Sequence, residues 1–136
     1  MLPFTVTEEA TTGRGRIRGV YVLVVHDPTV DVQALCDTIA AGFVVRSVTT
    51  AFEALERLSG APLACVVCVI GGAIHAEDFH KLVTRAAPEQ AHRILFVDND
   101  ESEAAFLKSS GAHWLPNKAA EPQEVLAQVR AVAAGG

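Results

Sequence analysis

The chain has 136 residues, half of them hydrophobic, and a formal net charge of −5. This length fits one domain with its own core, and no apolar run approaches the roughly 18 residues of a membrane-spanning helix. Residues 20–136 hold eight basic and fourteen acidic groups, so neither a membrane nor nucleic acid is expected as a partner.

Residues 1–19 are predicted to be an N-terminal extension, and residues 20–136 to be the folded domain. Glu8 and Glu9 stand where a secretion signal would be basic, and three cysteines do not form a disulfide framework. We therefore expect a cytoplasmic protein. Arg14, Arg16 and Arg18 form a basic cluster that is either a solvated tail or a docking arm.

Short apolar runs alternate with stretches of helical periodicity along the rest of the chain. The predicted strands are Val20–Val25, Phe43–Val48, Leu63–Ile70, Ile94–Val97 and His113–Leu115. These apolar residues mark the predicted helices: Val32, Leu35, Cys36 and Ile39, with Gly42 as C-cap; Phe52, Leu55 and Leu58 on one face, with Thr49 or Thr50 as N-cap; Phe79, Leu82 and Val83; Ala104–Leu107 before Gly111; and Val125, Leu126, Val129 and Val132, which face inward, with Pro122 in the first turn.

Five strands alternating with five helices predict a doubly wound α/β sandwich with a five-stranded parallel sheet. In such folds, functional groups gather at the carboxyl ends of the strands. The candidates there are His26 and Asp27, Cys68 to Gly72, Asp98 to Asp100, and Asn117 with Lys118.

Two stretches of this pattern are similar to the receiver domain of two-component response regulators. VLVVHDP, residues 22–28, resembles that family's first strand and acidic pair, and GAHWLPNKAAEP, residues 111–122, resembles its fifth strand, lysine and following helix. The likeness covers about Val20 to Ala134. It implies a (βα)5 flavodoxin-like fold and a role in bacterial two-component signalling or a phosphorelay.

The family's chemistry uses two acids that hold Mg²⁺, a phosphorylated aspartate, a hydroxyl residue and a lysine. On this resemblance, Asp27 matches the second acid and Lys118 the lysine, whereas His26 replaces the first acid. The phosphoacceptor position falls on Cys68, and no carboxylate occurs between Leu63 and His75. An aspartyl phosphate therefore cannot form at this position.

The rest of the family's switch is also altered. The hydroxyl position falls on Asp98 when counted from the third strand and on Phe96 when counted from the lysine. The aromatic switch position is Leu115, with Trp114 beside it, and the usual proline after the lysine is Ala119. The resemblance thus predicts a degenerate receiver, or pseudo-receiver.

Cys65 and Cys68 have C-x-x-C spacing but lie in a strand, where alternation sends them to opposite faces. We expect Cys65 in the core and Cys68 at the mouth of the former acidic pocket. Asp27 and Lys118 are predicted to form an ion pair there. Gly71-Gly72 predicts a turn with positive φ rather than a phosphate-binding loop.

The first functional hypothesis is a non-enzymatic, phosphorylation-independent interaction module with no cofactor and no metal. Its expected partner is a protein, an output domain or a second copy bound through the fourth helix, fifth strand and fifth helix. The interface candidates are His113, Trp114 and Leu115. The alternative is a thiol- or metal-sensing domain that uses Cys68 with His26 and Asp27, joined by His75 or Asp98.

Overall fold

The computed structural model describes residues 21–58, 63–98, 103–116 and 121–135. The strands are β1 (Tyr21–Val25), β2 (Val44–Val48), β3 (Cys65–Ile70), β4 (Ile94–Asp98) and β5 (His113–Pro116). The helices are α1 (Gln33–Ile39), α2 (Ala51–Leu58), α3 (Ala76–Ala86), α4 (Ala104–Ser110) and α5 (Pro122–Gly135). A 3₁₀ helix, Pro88–Arg93, which the sequence pattern did not predict, joins α3 to β4.

The five strands form one parallel sheet in the order β2-β1-β3-β4-β5. Every side chain of β3 is buried, as its continuous apolar sequence predicts for a central parallel strand covered on both faces. The predicted fold class is confirmed.

Helices cover both faces of the sheet and enclose one apolar layer on each side. One layer packs β-strand side chains, among them Val25, Cys68 and Phe96, against α2, α3 and α4. The other packs residues such as Val24 and Cys65 against α1 and α5. The four residues predicted to face inward from α5 are all buried: Val125, Leu126, Val129 and Val132.

Two local predictions of side-chain placement or capping are wrong. Phe52 does not share a packed face with Leu58: it is 71% exposed, because α2 packs through Ala54 and Leu58, which lie on another side of a helix that turns about 100° per residue. Gly42 does not cap α1, which ends earlier, at Ile39, with Ala40 in right-handed conformation.

The ends of two other helices are as predicted. The Thr50 hydroxyl accepts a hydrogen bond from the backbone N–H of Glu53 at 3.1 Å, which caps α2. Gly111 ends α4 with a φ of 74°. No helix within the described ranges is both long and apolar enough to span a membrane.

Candidate functional site

The ends of β1, β3 and β4 lie side by side at the carboxyl edge of the sheet. Val25, the last residue of β1, is paired in register with Cys68 of β3. Ile70, the last residue of β3, is paired with Asp98 at the end of β4. The parallel register therefore brings the backbone of three predicted site positions, His26, Asp27 and Asp98, to one edge.

Asp27 is the most highly connected side chain at this edge. Its Oδ1 accepts hydrogen bonds from the backbone N–H of Thr29 at 2.9 Å and from the Thr29 hydroxyl at 2.7 Å. Its Oδ2 accepts from the backbone N–H of Ala73 at 2.8 Å. The carboxylate thus ties the loop after β1 to the loop after β3.

Gly72 allows this contact. A Cβ atom at residue 72 would lie 2.3 Å from Oδ2 and 2.4 Å from Cγ of Asp27, and the backbone has a φ of +55°. Both the space and the conformation therefore favour glycine. The predicted positive-φ turn is confirmed, and its second purpose is to let the backbone approach Asp27.

The hydrogen bonds keep Asp27 ionised. Those from the Thr29 hydroxyl, the Thr29 N–H and the Ala73 N–H, in that order, lower the pKa of Asp27 from 3.8 to about 2, with a smaller contribution from His26. Only 8% of the residue is exposed. The carboxylate is therefore charged at neutral pH, with both oxygens already accepting hydrogen bonds from the chain itself.

His26 is half-buried beside it. Its backbone N–H donates to the carbonyl of Val48 at 3.1 Å, which extends the contact between β1 and β2. Its Nδ1 lies 2.9 Å from the carbonyl oxygen of Asp27. In the tautomer that satisfies this contact, Nδ1 carries the proton and donates.

Glu103 is a second carboxylate at the same edge, and no sequence motif had indicated it as a site residue. It precedes α4, and its two carboxylate oxygens accept hydrogen bonds from the first backbone N–H groups of α3, those of Ala76 at 2.6 Å and Glu77 at 3.0 Å. His75 Nδ1 lies 3.8 Å from Glu103 Oε2. A side chain of the loop after β4 therefore caps α3, where a negative charge is favoured by the helix dipole.

Cys68 lies deeper than predicted. Its side chain is fully buried in the apolar layer beneath α2, α3 and α4 rather than at an open mouth, because β3 continues for two more residues before it ends. Burial raises the pKa of the Cys68 thiol well above its ordinary value, and the charge of Glu103 adds to this shift. Both features oppose a reactive thiolate.

Cys65 is buried in the opposite layer, against α1 and α5. The predicted separation of the two sulfurs by the sheet is confirmed, so this C-x-x-C pair is not a dithiol motif. Within the ranges that the structure describes, no three His, Cys, Asp or Glu side chains form a group able to hold a metal ion. These observations count against the thiol- or metal-sensing alternative.

The three interface candidates differ in exposure. His113 is exposed, whereas Trp114 and Leu115 are half-buried. Trp114 packs against the layer beneath α2, α3 and α4, and Leu115 packs against the layer beneath α1 and α5.

Several predicted features lie outside the described residues: the N-terminal extension at 1–19 and the family-matched positions Asn117, Lys118 and Ala119. The ion pair between Asp27 and Lys118 therefore remains a prediction.

Comparison with solved structures places this architecture among known proteins. The chemotaxis response regulator CheY4 of Vibrio cholerae matches with a TM-score of 0.65 and 24% identity, over 83% of this chain and 98% of that one. The chain has the receiver fold. A response regulator receiver protein from Sinorhizobium medicae is also similar, with a TM-score of 0.66 and 20% identity over 85% of this chain and 94% of that one. A CheY-like receiver domain from Methanospirillum hungatei matches with a TM-score of 0.70 and 16% identity over the same shares, 85% and 94%.

No protein-family model and no curated protein matches the chain. At these identities the structural likeness establishes the receiver fold, and the chain spans nearly the full length of the receivers it matches. At the carboxyl edge of this fold, Asp27 accepts a hydrogen bond from a backbone N–H of the loop after β3, and Glu103 accepts from the first backbone N–H groups of α3.

Proposed function

We propose that the chain is a pseudo-receiver, which acts as a phosphorylation-independent module for signalling and protein interaction. The observation that carries this proposal is the state of Asp27. Its oxygens accept three hydrogen bonds from Thr29 and Ala73, and Gly72 packs directly against it. Three of the roughly four lone-pair sites of this carboxylate are thus taken by donors of the chain itself, which leaves about one for a metal ion.

The position matched to the phosphoacceptor supports the same proposal. Cys68 offers no carboxylate, and its side chain is completely buried. Phosphoryl transfer depends on groups positioned and charged around the phosphoryl oxygens. The loops of this edge are instead joined by the chain's own carboxylates, Asp27 and Glu103, without a phosphoryl group.

Incubation with acetyl phosphate and Mg²⁺ tests the proposal directly. We expect the intact mass to be unchanged, because the position matched to the phosphoacceptor carries the buried thiol of Cys68 and no carboxylate. An increase by one phosphoryl group, mapped to a residue of the carboxyl edge, would refute phosphorylation independence.

The matched proteins include response regulator receivers. We therefore also propose that the partner is a protein or an output domain, that the chain is cytoplasmic and that it catalyses no reaction. We further propose that the surface of α4, β5 and α5 binds this partner or a second copy. Exposed His113 lies on this surface, beside the half-buried Trp114. Aromatic residues are frequent anchors of protein interfaces.

Sedimentation velocity tests the choice of surface. His113→Glu places a charge on the proposed face, and Thr84→Glu places the same charge on an exposed residue of α3, away from that face. We expect the first variant to weaken self-association and the second to leave it unchanged. Equal sedimentation of the wild type and both variants, with self-association present, would exclude this face.

A further inference from the structure

A groove of about 640 Å³ runs between α1 and the edge strand β2. Val45 and Ser47 of β2 form one wall, and residues of α1 and of the loop before it form the other. The groove extends from His26, at the carboxyl edge of the sheet, to Ala40, just beyond the end of α1. It is therefore long enough to accommodate an extended peptide segment.

The charged residues lining this groove are all acidic. Asp31 and Asp37 line it, and among the residues that the structure describes no Lys or Arg does. Asp31 Oδ1 accepts a hydrogen bond from the backbone N–H of Gln33 at 3.0 Å, and Asp37 Oδ1 accepts one from the side-chain amide of Gln33 at 2.8 Å. Neither forms a salt bridge with a cation in the described part of the chain. Their charge is thus available to a basic ligand.

The chain carries such a ligand in the basic cluster at residues 14–18. Arg14, Arg16 and Arg18 come shortly before Tyr21, where β1 begins. At about 3.3 Å for each extended residue, these arginines reach about 10 to 23 Å from Tyr21. This range covers the distance of about 17 Å from Tyr21 along β1 to His26, the residue that lines the groove at the carboxyl edge.

The spacing of the arginines along the segment also agrees with the spacing of the acidic residues in the groove. Arg14 and Arg18 are about 13 Å apart in an extended chain. Gln33 and Asp37 are about 6 Å apart at the rise of a helix, and the two residues from Asp31 to Gln33, which precede α1, add up to about 7 Å. The two spans are therefore similar, and the long arginine side chains bridge any remaining difference. An extended segment also points Arg14, Arg16 and Arg18 to the same side, because successive side chains alternate.

We propose that residues 14–18 dock in this groove of their own chain, with the arginines paired to Asp31 and Asp37. The occupant is the chain's own segment because its charge is complementary and its attachment at Tyr21 keeps it close to the groove at high effective concentration. This inference does not depend on the function proposed above. It assigns the basic cluster to the docking arm rather than the solvated tail.

Cys36 provides a built-in probe of docking. It lines the groove and is half-buried, whereas Cys65 and Cys68 are fully buried. A docked segment shields the Cys36 thiol, so its alkylation rate in the native chain reports occupancy. The acidic side chains should be left intact in this assay, because Asp37 itself contributes to the raised pKa of Cys36.

The test compares the full chain with the variant R14Q/R16Q/R18Q at one pH. Exposed ion pairs are individually weak, so we expect Cys36 to be alkylated about threefold faster or more in the variant than in the wild type. Raising the salt concentration to about 0.5 M should accelerate the wild type toward the variant and leave the variant unchanged. R46Q/R57Q/R85Q, which removes three exposed arginines elsewhere, is the matched control and should behave as the wild type.

Equal alkylation rates for the wild type and R14Q/R16Q/R18Q would overturn the proposal. Protection of Cys36 that grows with protein concentration would also overturn it, because the occupant would then be the segment of a second copy. The same salt effect in both proteins would assign the change to the thiol's surroundings and not to docking.

Discussion

The contact between Gly72 and Asp27 makes a sharp prediction for the substitution Gly72→Ala. The new methyl group would overlap the carboxylate, 2.3 Å from Oδ2, in a backbone with a φ of +55°. A left-handed conformation costs a residue other than glycine about 1–2 kcal/mol, and inserting a methyl into occupied space adds about 1–3 kcal/mol. We expect a total loss of about 2–5 kcal/mol in the free energy of unfolding.

Gly111→Ala is the matched control for the backbone contribution. Gly111 has a similar conformation, with a φ of +74°, but a Cβ there would meet no atom within 4 Å. This substitution should cost only the conformational part, about 1–2 kcal/mol. Urea unfolding of both variants, with equal m-values, isolates the overlap as the difference between them.

A double-mutant cycle then assigns the overlap to Asp27. In an Asp27→Ala background the two nearest atoms, Oδ2 and Cγ, are gone and only the Cβ of residue 27, 2.8 Å from the new methyl group, remains, so Gly72→Ala should cost less than it does in the wild type. The reasoning would be refuted if Gly72→Ala were as mild as Gly111→Ala in the wild-type background. It would also fail if the cost of Gly72→Ala were the same with and without the Asp27 carboxylate.

Three further predictions concern the ionised and buried groups. Because the folded-state pKa of Asp27 is lowered to about 2, its contribution to stability is complete above about pH 4 and is lost as the pH falls through about 2. Asp27→Asn should therefore make the free energy of unfolding depend less steeply on pH between about 4 and 2. The same pH dependence in the wild type and the variant would contradict the assignment. Glu103→Ala removes the cap of α3 and should cost about 0.5–2 kcal/mol, with faster amide exchange at Ala76 than in the wild type; unaltered exchange would rule out the cap. Cys68 should be alkylated only at the rate of global unfolding, whereas half-buried Cys36 reacts in the native state, and native-state labelling of Cys68 would revive the thiol-sensing alternative.

The order of strands and helices could be predicted from the sequence because each element has a strong local signal. The continuous apolar run of β3 marks a strand buried on both faces, and Thr50 and Gly111 mark helix ends through their own backbone chemistry. Phe52 shows the limit of this reasoning. An apolar residue on a helix of only eight residues does not reveal which side packs, and α2 packs through Ala54.

The site was less predictable because its contacts join distant parts of the chain. Asp27 and Ala73 are 46 residues apart, and Glu103 and Ala76 are 27 apart. In each of these two contacts the donor is a backbone N–H, a group that every residue except proline carries, so the residue type does not indicate it. The resemblance identified Asp27 as a site position but gave no indication that the loop after β3 binds it, and nothing in the sequence indicated Glu103 as a helix cap.

Phosphorylation independence is tested most directly by NMR of the full chain during titration with beryllofluoride and Mg²⁺, which together imitate a phosphoryl group and its metal ion. The backbone amides of Thr29, Ala73 and Ala76 report the contacts of Asp27 and Glu103. We predict that these resonances do not move. Saturable shifts of the three amides, with loss of the hydrogen bond between Ala73 and Asp27, would show a functioning acidic pocket and contradict the pseudo-receiver account.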